Sequence, residues 1–354
     1  MLERIRDALL RSLLYYRSRP GSIRRHLAKR DFSPGDNCKV IDLGRVRVAA
    51  VQARLTLLSD PRDYAEAMYH YVREAAREGA QLVVFPEENG THLLGMLPGI
   101  EDMVRDRPIE EALGELGDVN LADLFAFIGE AARRVHIATF STLARGFGLY
   151  IIGGSINLPE RDGRVYNETF LFGPGGEILG NQRKVHLLPV ERQWGLCAGD
   201  RLEVYRTPLG NLAAPVCMDG TYFETYRILV SMGADIIAMP YALMEKYNYW
   251  TALRGAWPRT QESYAYSVYT TLVGKVGTIE FEGRSAIFAP LEMTPRGDGV
   301  LAETADHLSE GVIVADLDIT ALRERRRTAL RPDPALCSRY LPAAYEEYAR
   351  RPRL

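Results

Sequence analysis

From residue 46 onward, short runs rich in Val, Ile and Leu alternate with longer segments whose apolar residues recur at helical spacing. This alternation predicts sheets covered by helices, the arrangement of an α/β domain. No break in composition interrupts it before residue 326, so we expect one domain over residues 45–326. The predicted strands are 46–52, 81–85, 149–156, 165–173, 177–184, 203–207, 211–217, 235–239, 269–275, 285–289 and 311–316. The predicted helices are 62–78, 120–146, 222–232 and 251–267.

Residues 1–44 are predicted to form a basic extension ahead of the domain. Residues 1–30 hold nine Arg or Lys against two acidic residues, a net charge of +7 in a chain whose total is −2. Apolar residues recur at helical spacing over 2–16, which predicts an amphipathic helix. We expect this helix to dock on the domain or on a second subunit, and the basic charge leaves peripheral contact with an anionic membrane as an alternative. Residues 327–354 carry four prolines and are expected to form a tail that packs on a neighbouring subunit.

Composition narrows the class of protein. Apolar residues make up 47% of the chain and charged residues 25%, as in folded globular proteins, and the small net charge gives no reason to expect nucleic acid. Four widely spaced cysteines favour a reducing cytoplasm, and no apolar run is long enough to span a membrane. The six histidines lack the spacing of metal ligands, so no metal is expected.

The first candidate for chemistry is the segment Leu82-Val-Val-Phe-Pro-Glu87. It is an apolar strand, stopped by Pro86, that delivers a carboxylate to its end, where α/β sheets commonly place reactive groups. Taken alone, Glu87 is better explained as a surface charge or a helix cap. Glu88 competes for the same role, and we expect only one of these two successive side chains to face the site.

The second candidate is the segment from Asn181 to Glu191, in which Lys184 ends a predicted strand. A lysine there is ordinarily solvated, but a fixed ammonium could stabilise developing negative charge and lower the pKa of a nearby thiol. Glu191 could hold that ammonium in place. His186 could act as a base or have a structural role, and its position inside the apparent strand favours the structural one.

The third candidate is Cys217, at the end of the apolar run 213–217. Asp219-Gly220 then breaks the chain before a predicted helix, which places the sulfur at a strand-to-helix elbow beside free backbone N–H groups. A buried cysteine is often only a small apolar residue. The elbow favours a reactive thiol, with positive potential from the helix N-terminus and Lys184.

Taken in order, the three segments resemble the nitrilase or carbon-nitrogen hydrolase superfamily. The matching patterns are strand-Pro86-Glu87, Arg183-Lys184-x-His186-Leu, and Cys217-x-Asp219-x-x-x-x-Glu224. Further matches lie at 46–52, 233–240, 281–290 and 310–318, so the resemblance covers residues 46–326. It implies a single-domain, four-layer α-β-β-α sandwich, usually assembled into homodimers or larger homo-oligomers, and it implies no cofactor.

The resemblance also implies a role for each residue. Glu87 would be the general base, Cys217 the nucleophile that forms a thioester, and Lys184 with the backbone N–H of Met218 would stabilise the oxyanion. Glu191 matches a second glutamate that would orient Lys184 or the substrate. The implied activity is hydrolysis of a small amide or N-carbamoyl substrate, with release of ammonia or an amine.

Departures from the family pattern concern the substrate. Nitrile-cleaving relatives commonly have Cys-Trp-Glu, whereas Cys217-Met-Asp219 resembles the amidase and carbamoylase branches, with Met in place of the usual Tyr. The loop 89–120 and four aromatic residues are candidates for shaping the pocket, although aromatic residues are as often ordinary core. These aromatic residues are Trp194, Tyr222, Tyr241 and Tyr247. A nitrilase, an amine-accepting acyltransferase and a catalytically idle binding scaffold remain alternatives.

Overall fold

The computed structural model describes residues 2–33, 41–115, 119–328, 342–343 and 346, with side chains from residue 8 onward. Within these residues the chain forms thirteen strands and eleven α-helices. The strands are β1 (Val46–Leu55), β2 (Leu82–Val84), β3 (Tyr150–Pro159), β4 (Val165–Phe172), β5 (Ile178–Arg183), β6 (Tyr205–Thr207), β7 (Gly210–Ala213), β8 (Ile236–Tyr241), β9 (Tyr266–Val276), β10 (Ile279–Phe281), β11 (Ala286–Phe288), β12 (Val300–Glu303) and β13 (Gly311–Leu317).

Two helices precede the first strand, and the other helices lie between strands or after the last one. They are α1 (Leu2–Arg17), α2 (Pro20–Leu27), α3 (Pro61–Arg77), α4 (Ile100–Val104), α5 (Ile109–Gly114), α6 (Leu121–Phe147), α7 (Pro189–Gln193), α8 (Phe223–Ser231), α9 (Tyr249–Leu253), α10 (Ala256–Ser263) and α11 (Ile319–Thr328). Short 3-10 helices lie at Thr91–Met96, Cys217–Thr221 and Leu291–Met293. No described helix combines the length and the apolar character that crossing a membrane requires.

The strands form two sheets that join at one corner. The first sheet runs β5-β4-β3-β2-β1, with β13 antiparallel to β1 from Val46 to Gln52. The second runs β6-β7-β8-β9 and continues through β11 to β12. The end of β1, from Ala53 to Leu55, pairs with Leu272–Gly274 of β9 and connects the two sheets.

Successive side chains of a strand point to opposite faces of the sheet, so neighbouring residues belong to different layers of the core. Val46, Val48 and Ala50 belong to the apolar cluster between the two sheets, whereas Ala49 and Val51 belong to the cluster beneath the helices. This is the period of two that a strand buried on both faces requires. Helices α3 and α6 cover the first sheet, and α8 and α10 cover the second. The predicted α-β-β-α sandwich is confirmed.

Two predicted boundaries were wrong. The helix predicted over 251–267 is two short helices, α9 and α10, separated at Arg254-Gly255, and strand β9 already begins at Tyr266. Gly255 has φ −91° and ψ −115°, a backbone conformation outside the helical region. The strand predicted over 211–217 ends at Ala213, because Pro215 has no N–H to donate to a sheet.

The N-terminal extension packs on its own domain. Ile23 and Leu27 of α2 are fully buried and belong to the apolar core beneath α3 and α6, and Leu14 of α1 is 2% exposed. The guanidinium of Arg11 lies 4.5 Å from the centre of the Phe127 ring on α6. The buried residues of α1 and α2 therefore dock on the domain, which is one of the alternatives that the sequence left open. The predicted tail lies outside the described residues, except that 327 and 328 end α11 and 342, 343 and 346 are helical.

Candidate active site

Three segments place their polar side chains just beyond the ends of strands. Glu87 follows β2 after Phe85-Pro86, Lys184 follows β5, and Cys217 lies four residues beyond the end of β7. The first two come from the first sheet and the third from the second sheet. The site therefore lies where the two sheets approach each other, and neither sheet alone could assemble it.

The Lys184 ammonium joins two carboxylates in the interior. Its Nζ donates to Glu87 Oε1 at 2.8 Å and to Glu191 Oε1 at 2.7 Å. All three residues are buried, with Lys184 only 1% exposed. Burial disfavours the charged amine, but the nearby Cys217, Glu87 and Glu191 outweigh it and raise the Lys184 pKa well above its ordinary value. The raised pKa favours the charged ammonium, which is the state that the predicted role of Lys184 would use.

Glu191 is fixed by its own helix. It lies in the first turn of α7, where its Oε2 accepts the N–H of Leu188 at 2.7 Å while Oε1 faces Lys184. A carboxylate is favourable at that end of a helix. Glu191 thus supplies a second fixed carboxylate for the ammonium, a contact compatible with the expected role of orienting Lys184.

Glu87 accepts two further hydrogen bonds that its sequence pattern did not predict. Asn167 Nδ2 donates to Oε1 at 3.0 Å, and the backbone N–H of Ala242 donates to Oε2 at 3.0 Å. Burial, partly opposed by Lys184, raises the pKa of Glu87 to about 7. A carboxyl group with that pKa can both accept and return a proton near neutrality. The signal for Asn167 was the polar run Asn167-Glu168-Thr169 inside a strand whose other residues are apolar or aromatic.

Cys217 starts the 3-10 helix and adopts a left-handed φ of +47°, which is uncommon outside glycine. The side chain is 4% exposed. Burial raises the pKa of the thiol well above its ordinary value, and a hydrogen bond to Glu87 raises it further, while Lys184 opposes the rise. Lys184 thus acts in the expected direction, but burial and Glu87 outweigh it. The raised pKa favours the protonated thiol near neutrality, so a nucleophilic role for Cys217 would require a base to take its proton.

Asp219 connects the elbow to the lysine segment. Its buried carboxylate accepts the N–H groups of Val185 at 3.1 Å, His186 at 2.7 Å and Val216 at 3.0 Å, and contacts the His186 ring at 2.8 Å. His186 lines neither cavity, which is compatible with the structural role that the sequence favoured. These bonds make Asp219 a residue that positions the two segments, whereas in the sequence it stood out only as part of a chain break and of the family pattern.

Two cavities reach this cluster, and they share Leu188, Ala242 and Met244. Cys217, Met218, Tyr241 and Tyr247 line one, which we call the thiol cavity. Glu87, Lys184, Glu191 and Trp194 line the other, which we call the carboxylate cavity. Met218 follows the sulfur in the first turn of the 3-10 helix, whose N–H groups have no partner within the helix.

Not every candidate residue enters the site. Tyr222 does not line either cavity and is 41% exposed, with its ring 4.6 Å from that of His186. Glu88, by contrast, reaches the site although only one of Glu87 and Glu88 was expected to do so. It lines the carboxylate cavity beside Glu87, so both successive side chains face the site.

Among the described residues, no group of His, Cys, Asp or Glu is arranged to hold a metal ion.

The fold and the cluster define a class of protein. The sequence profile of the carbon-nitrogen hydrolase family matches residues 47–327. The chain therefore belongs to the carbon-nitrogen hydrolase family, a class of enzymes, and the predicted superfamily is confirmed.

Several proteins of known name are similar to most of this chain. The chain is 29% identical over 287 residues to a probable hydrolase, YhcX, of Bacillus subtilis. The matched region covers 80% of this chain and 52% of that protein. It is 29% identical to a nitrilase of Pyrococcus abyssi, with coverage of 79% and 93%, and 27% identical to an omega-amidase of Xenopus tropicalis, with coverage of 72% and 83%. The chain thus spans about half the length of the Bacillus relative.

Solved structures support the fold. A variant amidase from Nesterenkonia sp. AN1, with the acetamide moiety of fluoroacetamide added at its active-site cysteine, has a TM-score of 0.58 and 22% identity. The match covers 81% of this chain and 97% of that one.

Proposed function

We propose that this chain hydrolyses a small amide or N-carbamoyl substrate through a thioester on Cys217. One observation carries the proposal: Glu87, Lys184 and Cys217 come from distant segments and meet in one buried cluster that two cavities reach. This is the set that acyl transfer needs, namely a nucleophile, a base in contact with it and a fixed cation.

The first half-reaction forms the thioester. Glu87 takes the thiol proton as Sγ bonds to the carbonyl carbon, and the carbonyl oxygen becomes an oxyanion. The Lys184 ammonium and the Met218 N–H stabilise that negative charge. When the carbon-nitrogen bond breaks, protonated Glu87 returns its proton to the departing nitrogen, and ammonia or an amine leaves.

The second half-reaction restores the enzyme. Glu87 removes a proton from water, the hydroxide attacks the thioester carbon, and the same two donors hold the second oxyanion. The carbon-sulfur bond then breaks, and the proton on Glu87 returns to Sγ. The balance is one amide and one water consumed, and one acid and one amine released.

A panel of small amides, N-carbamoyl amino acids and nitriles tests this proposal. We expect the purified protein to release ammonia or amine from an amide or carbamoyl compound, and Cys217→Ala to abolish release. Cys197→Ala is the matched control, because Cys197 is a free cysteine that lines neither cavity. Hydrolysis that survives in Cys217→Ala would refute the mechanism.

The nitrilase among the relatives supports a second candidate, cleavage of a nitrile. The same thioester would form after attack of Sγ on the nitrile carbon, followed by one extra addition of water. A nitrile turned over faster than every amide in the panel would favour this alternative. Added amine acceptors in the same assay would reveal acyl transfer as a new amide product.

We also propose a homo-oligomer in the cytoplasm. Ile228 of helix α8 and Met232, which directly follows this helix, are 48% and 49% exposed and lie four residues apart, so together they form a small apolar surface that a second subunit could cover. The free thiols of Cys197 and Cys217 are compatible with a reducing compartment. A solution mass equal to one chain would refute the oligomer.

A further inference from the structure

The carboxylate cavity has an unequal charge distribution. Among its described lining residues are three carboxylates, Glu87, Glu88 and Glu191, and a single cation, Lys184. Both hydrogen bonds that place Lys184 go to Glu87 and Glu191. The cavity therefore contains one carboxylate more than its catalytic pairing uses, and that carboxylate is Glu88.

Glu88 is held by neutral donors. Asn157 Nδ2 lies 2.8 Å from its Oε1 and 2.9 Å from its Oε2, Asn167 Nδ2 lies 3.4 Å from Oε1, and the Thr91 hydroxyl donates to Oε2. No described Lys, Arg or His forms an ion pair with it. Amide and hydroxyl donors fix the direction of a carboxylate without neutralising its charge. The Lys184 ammonium also acts on Glu88, but it is already shared by Glu87 and Glu191.

The surroundings of Glu88 make that uncompensated charge costly. Glu88 is partly buried, and the rest of the cavity wall is apolar, with Leu55, Leu94, Ile109, Phe125 and Phe281 among its residues. A charge in such surroundings is stabilised when an opposite charge binds beside it. An aliphatic chain that ends in an ammonium group matches both features, because its methylenes would contact the apolar wall.

We propose that Glu88 selects substrates whose portion in the carboxylate cavity carries a positively charged amine. This inference rests on the proposed amide hydrolysis and adds the substrate class. A substrate with a carboxylate in the same place would meet the like charge of Glu88 in a cavity with more carboxylates than cations and would be rejected.

Three amides of matched length test the selection. They are 5-aminopentanamide, which is cationic, hexanamide, which is neutral, and glutaramate, which is anionic. N-(3-aminopropyl)acetamide and N-butylacetamide form a second pair, with the charge on the leaving amine. In at least one of the two series we expect kcat/KM to be highest for the cationic compound, and in the first series to be lowest for the anion.

The variant Glu88→Gln keeps the side-chain shape and removes the charge. We expect the cationic-to-neutral ratio of kcat/KM to fall roughly 10- to 100-fold. Glu101→Gln on α4 is the matched control, since Glu101 is exposed and lines neither cavity, and its ratio should equal that of the wild type. An unchanged ratio in Glu88→Gln overturns the proposal. If this variant does not fold, a wild-type preference for the neutral or anionic compounds in both series overturns it.

A second measurement does not depend on amide hydrolysis. Cys217 is labelled with 2-aminoethyl methanethiosulfonate, a cation, and with its 2-sulfonatoethyl counterpart, an anion, and the rates are followed by peptide mass spectrometry. We expect the cation to react faster and Glu88→Gln to reduce the difference. Selective labelling without turnover of any amide would refute the proposed function and retain the charge selection. Turnover without charge selection in either assay would refute the selection alone.

Discussion

The cluster around Lys184 lies inside the domain and the N-terminal helices pack on its outside, and different kinds of interaction hold the two regions in place. In the cluster, Glu87, Lys184 and Asp219 each have two or more polar partners, and at least one partner of each comes from a distant segment. In the helices, Ile23 and Leu27 are buried by apolar contact. Polar partners fix direction, whereas apolar contacts mainly add stability. Substitutions in the cluster should therefore change activity, and substitutions in the helices should change stability.

The largest effect is expected from Lys184→Ala. The substitution removes the cation that faces the oxyanion and leaves Glu87 and Glu191 without their shared partner. We expect kcat to fall roughly 100- to 1000-fold or more, measured by amine release. Lys275→Ala is the control, because Lys275 is exposed and lines neither cavity. A Lys184→Ala enzyme with near wild-type turnover would remove Lys184 from the mechanism.

The pH profile tests the base. Glu87 must be ionised to accept the thiol proton, and its pKa is raised to about 7. Lowering the pH below 7 protonates it, so kcat/KM should fall about tenfold for each further pH unit and level off above the pKa. A flat profile between about pH 5 and 8, for a substrate that does not titrate in that range, would contradict this role.

Part of this cluster follows from the sequence because Glu87, Lys184 and Cys217 each lie shortly after a strand that the residue pattern predicts. Glu87 and Lys184 could be placed at strand ends from local periodicity alone. Asp219 could not be assigned its role, because its partners at 185 and 186 lie more than 30 residues away in the chain. Glu88 was misjudged for a local reason: its φ of +58° turns the chain, so the opposite directions of neighbouring strand residues do not apply.

Asp219→Asn should have an intermediate effect. It removes one of the two oxygens that connect the Lys184 segment with the nucleophile elbow, so Lys184 and Cys217 would lose their relative placement. We expect kcat to fall about 10- to 100-fold with a smaller change in KM, as for a mispositioned group. Asp200→Asn is the exposed control. Equal losses of stability and activity with unchanged kcat in the folded fraction would show a purely structural role.

Ile23→Ala tests the other side of the comparison. Ile23 is fully buried in α2, far in the sequence from every catalytic residue. Its truncation should lower the free energy of unfolding by roughly 2–5 kcal/mol, measured with urea, because it leaves a cavity. Turnover per folded molecule should stay at the wild-type level. A large fall in kcat would show that the extension also positions the site.

The smallest effect is expected from Leu9→Ser with Leu13→Ser. These side chains of α1 are 66% and 43% exposed. The free energy of unfolding should change by about 0.5 kcal/mol or less. Solution mass and binding to anionic vesicles, measured on the same variant, report whether a subunit or a membrane covers this stripe. A strong loss of stability at equal mass would mean that the stripe packs on its own domain.

The most direct test of the account is the site of the acyl group during turnover. The enzyme is mixed with a substrate of the panel, quenched in acid within the first turnovers, digested, and mapped by mass spectrometry. We predict an acyl adduct on the peptide that contains Cys217, released by hydroxylamine and missing from Cys217→Ala. Hydrolysis that proceeds with the acyl group on another residue, or with Cys217 still labelled by a blocking reagent, would contradict the account.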